Sequence, residues 1–455
     1  MQISLPVPVE YVLHTLRRGG YEAYIVGGCV RDALLGFPPA DWDVTTSAPP
    51  EDIVRLFEGR NRLIETGLKH GTVTILADGM PVEVTTYRID GKYTDGRHPD
   101  SVCFTASLAE DLRRRDFTIN AMAYCPEEGL IDCYSGQADL REGIIRCVGV
   151  PDIRLQEDAL RILRALRFAS VLGFSIDGDT ADSLRRNREL LANIAAERLA
   201  AELNRLLCGR KAGKILLDYS DILGIFLPEL SPMVGFAQHN AYHAYDVWEH
   251  TARCLQAASP LLPVRLAVLL HDSGKPPCFT MDDNGIGHFY GHPAVSTEIA
   301  RTVLTRLRYE SKTTETVCRL VKYHDTDIPP EERLIRRWLN RLGEEELRML
   351  LAVKRADISG QAPALIGRLE DIDRLEELVD KVVAENQCFS MKDLQINGHD
   401  LMDLGFCPGR ALGEALRALL DAVLEGSCPN DRAALLEQAV ALLKTGKAGA
   451  AGYGD

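Results

Sequence analysis

About a third of the way along this chain the hydrophobic pattern changes period, and that change dictates the architecture the chain can adopt. Ahead of it, short β-rich runs alternate with helical stretches. Tyr24-Ile25-Val26 leads into a Gly-Gly turn, Val30 to Leu35 starts a helix, and strand-like segments follow at 41–46, 72–76 and 81–87. The last two are joined by Ala77-Asp78-Gly79-Met80, a hairpin signal because Asp-Gly tolerates positive φ. From about Leu155 onward apolar residues recur at helical spacing, as in Leu160, Leu163, Leu166 and Phe168. The pattern predicts an α/β head, a small mixed sheet with helices, followed by an all-α body. At 455 residues the chain exceeds what one core supports. The expected division is a head at 1–145, a helical neck at 146–235, a third domain at 236–345, a helical tail at 346–445 and a disordered end at 446–455.

No apolar run reaches the ~18 residues of a membrane span, and the N-terminus lacks the basic-then-apolar pattern of a secretory signal. Cysteines such as Cys29, Cys103, Cys133, Cys208 and Cys278 stand singly with no CxxC pair, which predicts reduced thiols and a cytoplasmic location. The net charge of −14 argues against an indiscriminate nucleic-acid binder. Arginines nevertheless cluster at 113–115, at 161, 164 and 167, at 185, 186 and 188, and at 336, 337 and 341. Each cluster alone is an ordinary solvated helix face; four together leave room for a stripe that tracks RNA phosphates.

The most informative segment is Ile25-Val26-Gly27-Gly28-Cys29-Val30-Arg31-Asp32, followed by Asp41-Trp42-Asp43. A strand, two glycines and a helix start let backbone N–H groups approach a polyphosphate, and Arg31 can add a charged contact. Asp41 and Asp43, two apart on a predicted strand, would point to the same face. Paired carboxylates suit Mg²⁺, which prefers hard oxygens and substrate phosphates. Glu83 on a neighbouring strand could supply a third carboxylate. Gly-Gly alone is a turn and Asp-x-Asp alone is commonly a solvated strand end; in this order and spacing the two together are far less expected by accident.

These residues resemble the class II tRNA nucleotidyltransferase/poly(A) polymerase family of the polymerase β superfamily. The likeness continues through Arg114-Arg115-Asp116-Phe117-Thr118-Ile119-Asn120-Ala121, Asp132 and Gly136, and then Glu157-Asp158 with Arg161, Arg164, Arg167 and Phe168. Glu197-Arg198 with Glu202-Leu203 resembles a further family element, and 394–401 with Gly405, Pro408, Gly409 and Gly413 resembles the family's tail. The resemblance implies a polymerase β-like head and untemplated addition or repair of the tRNA 3′-terminal CCA from CTP and ATP. The partner would be the 3′ end and acceptor arm of tRNA, with no membrane involved. Asp41 and Asp43 would be catalytic and hold Mg²⁺.

On a helix Asp158 and Arg161 would be neighbours. A carboxylate accepts from an exocyclic amino group and a guanidinium donates to a ring nitrogen. Cytosine and adenine offer that pattern; uracil and guanine reverse it. The resemblance implies that Asp158 and Arg161 read the incoming base and that Gly28, Arg31, Arg115, Arg164 and Arg167 also contact the nucleotide. Two relatives within the family compete, a bacterial poly(A) polymerase and a CC-adding enzyme. Thr66 to Val73 resembles the CCA-adding form of its stretch, and 87–101 resembles the flexible loop that accompanies A-addition.

A second constellation comprises His239, His243, His250, His271-Asp272, His288, His292 and His324-Asp325. It resembles the HD phosphohydrolases, in which dispersed histidines and aspartates gather one or two divalent cations. That likeness implies a second divalent-metal site at His250, His271, Asp272 and Asp325, with His292 and His324 nearby, acting on a 2′,3′-cyclic or terminal phosphate of damaged tRNA. The rival from another class is an HD phosphohydrolase whose head only senses nucleotide; the presence of both Asp41 and Asp43 speaks against it.

Overall fold

The early strands pair into one seven-stranded sheet. In this computed structural model, which describes residues 2–65, 67–91, 102–239, 244–361, 363–385 and 390–444, the chain divides into two compact units. They are Met1–Ser231 with Arg306–Tyr309, and Pro232–Thr305 with Glu310–Asp455. Thr66, most of the 87–101 loop, His243 and the 446–455 end lie outside the described residues.

The first unit starts with α1 (Val7–Arg18), whose Val9, Val12, Leu13 and Leu16 form one buried stripe. It is followed by β1 (Ala23–Val26), α2 (Gly28–Leu34), β2 (Asp43–Thr46), α3 (Pro50–Phe57), β3 (Arg62–Ile64), β4 (Thr72–Ala77) and β5 (Met80–Thr86). A hairpin, β6 (Arg88–Asp90) with β7 (Val102–Phe104), precedes α4 (Leu108–Arg113), β8 (Met122–Cys125) and β9 (Gly129–Asp132). The main sheet runs β3-β4-β5-β2-β1-β8-β9. Its centre, β1 and β8, is buried on both faces, whereas Val73, Ile75 and Ala77 of β4 alternate inward with period two. The expected hairpin turn is present, with Asp78 at φ 49° and Gly79 at φ 81°. Within this sheet, among the described residues, only β2 and β5 pair in parallel, and their register sets Asp43 opposite Glu83.

Helices then take over: α5 (Gly136–Glu142), α6 (Pro151–Glu157), α7 (Leu160–Leu172), α8 (Gly178–Asn187), α9 (Ala196–Leu207), α10 (Ala212–Asp218) and α11 (Ser220–Leu223). Buried almost throughout, α7 packs along α9. Two short strands, β10 (Ile144–Ile145) and β11 (Ser175–Ile176), pair in parallel here, so this region is not purely helical as expected.

The second unit comprises α12 (Val247–Ala257), α13 (Leu262–Leu270), a hairpin of β12 (Thr280–Met281) and β13 (Gly287–His288), α14 (His292–Arg306), α15 (Ser311–Tyr323), α16 (Glu332–Gly360), α17 (Leu369–Ala384), α18 (Gly398–Asp403), α19 (Arg410–Leu424) and α20 (Arg432–Lys444). The hairpin is the second departure from an all-α body. Apolar on nearly every side, α13 forms the centre, and α12, α15 and α16 pack around it. Gly343, at φ 76°, breaks α16. Leu401, Phe406, Leu419 and Leu435 close a separate apolar core at the end. Among the described residues no helix is long and apolar enough to cross a membrane.

Candidate functional site

Between β1 and α2 the backbone makes the turn that the two glycines allow. Gly27 sits at φ 84°, a conformation that favours glycine, and a Cβ there would lie 3.0 Å from Arg115 Nη1, tight enough that the arginine would have to shift. The turn opens on a cavity of about 520 Å³. Gly28, Arg31, Asp41, Asp43, Arg115, Asp158, Arg161 and Arg164, eight of the residues singled out above, line it together. Glu83 and Arg167 are not among the lining residues.

Asp43 opens β2, but Asp41 precedes the strand in a bend, so the two do not share a strand face by pleat. The chain turning in from α2 brings Asp41 to the same cavity by a different route. Burial pushes the Asp43 carboxyl above its usual range; Arg115 opposes the shift, and Glu83 and Asp41 add to it. Crowded carboxylates of this kind are relieved by a hard cation. Glu83, exposed on β5, acts on Asp43 through charge.

Asp158 also departs from expectation. It lies between α6 and α7 in an extended conformation (φ −139°, ψ 104°), so helical i,i+3 spacing does not make it a neighbour of Arg161. Instead Arg198 on α9 donates to both Asp158 oxygens at 3.1 and 3.3 Å, and Leu160 N donates to Oδ1 at 3.1 Å. Arg161 is fixed separately, donating to Glu157 Oε2 at 2.7 Å, Arg154 O at 2.9 Å and Arg114 O at 3.0 Å. Both groups therefore face the cavity on rigid supports. Arg198, already marked by its resemblance to a family element, and Arg205, which only its place on α9 alongside α7 reveals, also line it.

The remaining arginines are ordered by acidic partners. Arg164 donates to Asp116 Oδ2 at 2.9 Å, and Asn120 Nδ2 donates to Asp116 Oδ1 at 3.0 Å. Burial alone would raise the Asp116 carboxyl, but Arg164 and Asn120 hold it well below the carboxylate range. Asn120 Oδ1 accepts in turn from Arg31 at 2.7 Å. Arg167, expected on the nucleotide, turns into the protein and pairs with Glu202 at 2.6 Å, and burial lowers its guanidinium to about 10. The guanidiniums of Arg31, Arg164 and Arg167 surround the Phe168 ring at 5.0, 5.6 and 3.8 Å from its centroid.

The second unit gathers its own cluster. His250 comes from α12, His271 and Asp272 from the end of α13, His292 from the start of α14 and His324 from the end of α15; all five are at least nine-tenths buried. Each imidazole is tied through Nδ1 to a backbone carbonyl: Gly360 O at 3.1 Å, Val268 O at 2.7 Å, Phe289 O at 3.0 Å and Val321 O at 2.7 Å, in chain order. The four Nε2 atoms are thereby directed inward, the arrangement that orients metal-binding histidines. Asp272 Oδ2 lies 3.5 Å from His250 Nε2 and 3.2 Å from His271 Nε2, while Oδ1 lies 3.4 Å from His292 Nε2 and 3.7 Å from His324 Nε2.

The last carboxylate is not the expected one. Asp325 is exposed at the rim, because α15 turns its terminal His324 inward and the next residue outward. Asp357, from α16, reaches in instead, with Oδ1 3.0 Å from His250 Nε2 and 3.8 Å from His271 Nε2. Burial alone would push the Asp272 carboxyl up, but His271, Lys275 and His292 hold it far down; His250 and His271 do the same for Asp357. His239 lies against Phe279 with its ring tilted 43° to it, and His288 pairs with Asp282, both outside this cluster.

Three family models match parts of this chain. Residues 23–146 match the family model for the Poly A polymerase head domain, 173–234 that for the RNA and SrmB- binding site of polymerase A, and 289–439 that for tRNA nucleotidyltransferase domain 2. The chain is 38% identical over 429 residues to a CCA-adding enzyme of Levilactobacillus brevis, covering 93% of this chain and 95% of that enzyme. It is 33% identical over 442 residues to the CCA-adding enzyme of Ligilactobacillus salivarius, covering 95% and 96%. Among solved structures, the Bacillus stearothermophilus CCA-adding enzyme in complex with CTP superposes with a TM-score of 0.72 at 29% identity over 97% of this chain and 99% of that one. The Thermotoga maritima CCA-adding enzyme complexed with tRNA shares the fold, with a TM-score of 0.62 at 20% identity over 96% of each chain. With full-length relatives above 30% identity and a head built on paired aspartates beside a glycine turn, this chain belongs to the CCA-adding enzyme family of tRNA nucleotidyltransferases.

Proposed function

We propose that this chain completes or repairs the 3′-CCA end of tRNA from CTP and ATP, with its first unit as the polymerase. One observation carries the reading: Asp41, Asp43, the Gly27-Gly28 turn and the base-facing pair Asp158 and Arg161 line a single cavity. Asp41 and Asp43 would hold Mg²⁺, which would acidify the tRNA 3′-hydroxyl and neutralise charge on the transferred phosphate. The hydroxyl oxygen bonds to the α-phosphorus of the bound nucleotide, and the bond to pyrophosphate breaks. Gly28 amide, Arg31 and Arg115 suit the triphosphate, and Asp158 with Arg161 suits the amino edge of cytosine or adenine. Incubation with tRNA lacking its terminus and labelled CTP or ATP tests this. Addition of C, C and A supports it; a poly(A) tail or arrest after two cytidines replaces it.

A second reading concerns the histidine cluster, favoured by the four carbonyl-tethered imidazoles. It is a metal-dependent phosphohydrolase of the HD type, within a four-part division of head, neck, HD domain and tail. His250, His271 and Asp357 would hold one divalent cation and His292 and His324 a second, with Asp272 between them. Imidazole and carboxylate together suit a borderline transition metal. Such a pair would acidify a water to attack a phosphoester, such as a cyclic or terminal phosphate on damaged tRNA.

A further inference from the structure

The cavity over the histidine cluster changes character from floor to mouth. Its floor is Asp272, His292, His324 and Asp357; its mouth is formed by β13 with Ile286 before it and Phe289 to Gly291 after it. There Tyr290 is 78% exposed, and its ring lies parallel to that of His288, with centroids 5.2 Å apart and planes 9° from each other. The lower ring is fixed, since His288 Nε2 lies 3.1 Å from Asp282 Oδ2 and Asp282 Oδ1 accepts from Asn284 N and Ile286 N, each at 2.9 Å. His288 Nδ1 lies 3.4 Å from the Tyr290 hydroxyl. Tyr290 is therefore stacked on a braced ring on one face and open on the other.

We propose that Tyr290, backed by His288, is the base-stacking residue of this cavity, so that the phosphoesters it takes are those of nucleotides. The inference rests on the phosphohydrolase reading above. A phosphate belongs at the cation-seeking floor, and the cavity of about 390 Å³ leaves room for more than a phosphate. The open aromatic face at the mouth matches a planar base at the far end of the same molecule. Tyr290 is separated from His292, on the floor, only by Gly291, so one short segment sets the spacing between base and phosphate. Stacking needs only a π face, so the platform accepts any of the four bases and leaves identity unread. A simple sugar phosphate would fill the floor and gain nothing at the mouth.

The test uses the full chain loaded with Mn²⁺ and titration calorimetry with adenosine 3′-monophosphate and base-free methyl ribofuranoside 3-phosphate. Binding in the head is common to all variants and subtracts. Wild type should prefer the nucleotide; Tyr290→Ala should cut that preference about tenfold, and Tyr290→Phe should retain it. A preference unchanged by Tyr290→Ala, or lost equally in Tyr290→Phe, overturns the proposal, as does a wild type without preference. Metal content measured on the same samples separates the two ideas. Metal retained without base preference removes the platform alone; failure to retain metal removes the metal centre and the platform with it.

Discussion

The two cavities meet phosphate chemistry from opposite sides of the charge balance. Seven arginines and four aspartates line the head cavity, so it is short of anions and takes a triphosphate. The histidine cavity has Asp272, Asp325 and Asp357 against Lys275, so it is short of cations. Their burial differs in the same sense. Asp41 is exposed and Asp43 only partly covered, which suits a metal that arrives and leaves with each nucleotide. His250, His271 and Asp272 are 1% exposed, which suits a metal that stays. On the reading proposed above, burial separates a site whose charge its substrate completes from one whose charge a resident ion would complete.

Four tests break or sharpen that contrast. Largest is Asp43→Ala, or equally Asp41→Ala, which should reduce CTP incorporation on the order of a thousandfold. Metal content at the histidine site should stay unchanged. Next, His271→Ala should remove the retained metal and reduce cyclic-phosphate hydrolysis by at least roughly a hundredfold, with CTP incorporation held within about twofold. Joint loss of both activities would make the cluster structural and dissolve the contrast. Third, Asp158→Ala should lower the preference for CTP over UTP by roughly ten- to a hundredfold, the worth of one bidentate base contact. Incorporation of each nucleotide is measured side by side, and an unaltered ratio would assign base reading elsewhere.

The smallest effect is on stability and depends on pH. Asp116 has a folded carboxyl held below its unfolded value, so its contribution is present above about pH 4 and lost as pH falls through the depressed value. Asp116→Asn should lower the melting temperature by about 5 °C at neutral pH. The gap from wild type should narrow below about pH 4. A gap that stays constant with pH would mean that the Arg164 pair contributes little.

Much of the head was legible because its signals are local. Asp78-Gly79 specifies a tight hairpin by backbone preference alone, and Gly27-Gly28 after an apolar strand marks a phosphate turn. Asp41 and Asp43 line one cavity because a bend, rather than the pleat of a shared strand, brings Asp41 in. Asp158 fails the helical spacing argument because the helix breaks at that residue. The histidine cluster was legible as a concentration of one residue type. Asp357 was not, as a lone aspartate on a long amphipathic helix looks like any solvated carboxylate. Asp325 drew attention by standing next to His324, yet consecutive residues on a helix face different ways.

By itself the sequence determined the change from mixed sheet to helices, the glycine turn with its acidic pair, and the presence of enough histidines for a second metal centre. These are matters of period, backbone freedom and residue chemistry, which act over a few positions. Tertiary structure decided which groups share a cavity. It set Arg198 on Asp158, turned Arg167 away to Glu202, and chose Asp357 over Asp325. Such choices depend on which helix faces pack together, and contacts between residues far apart in the chain leave no mark in local pattern.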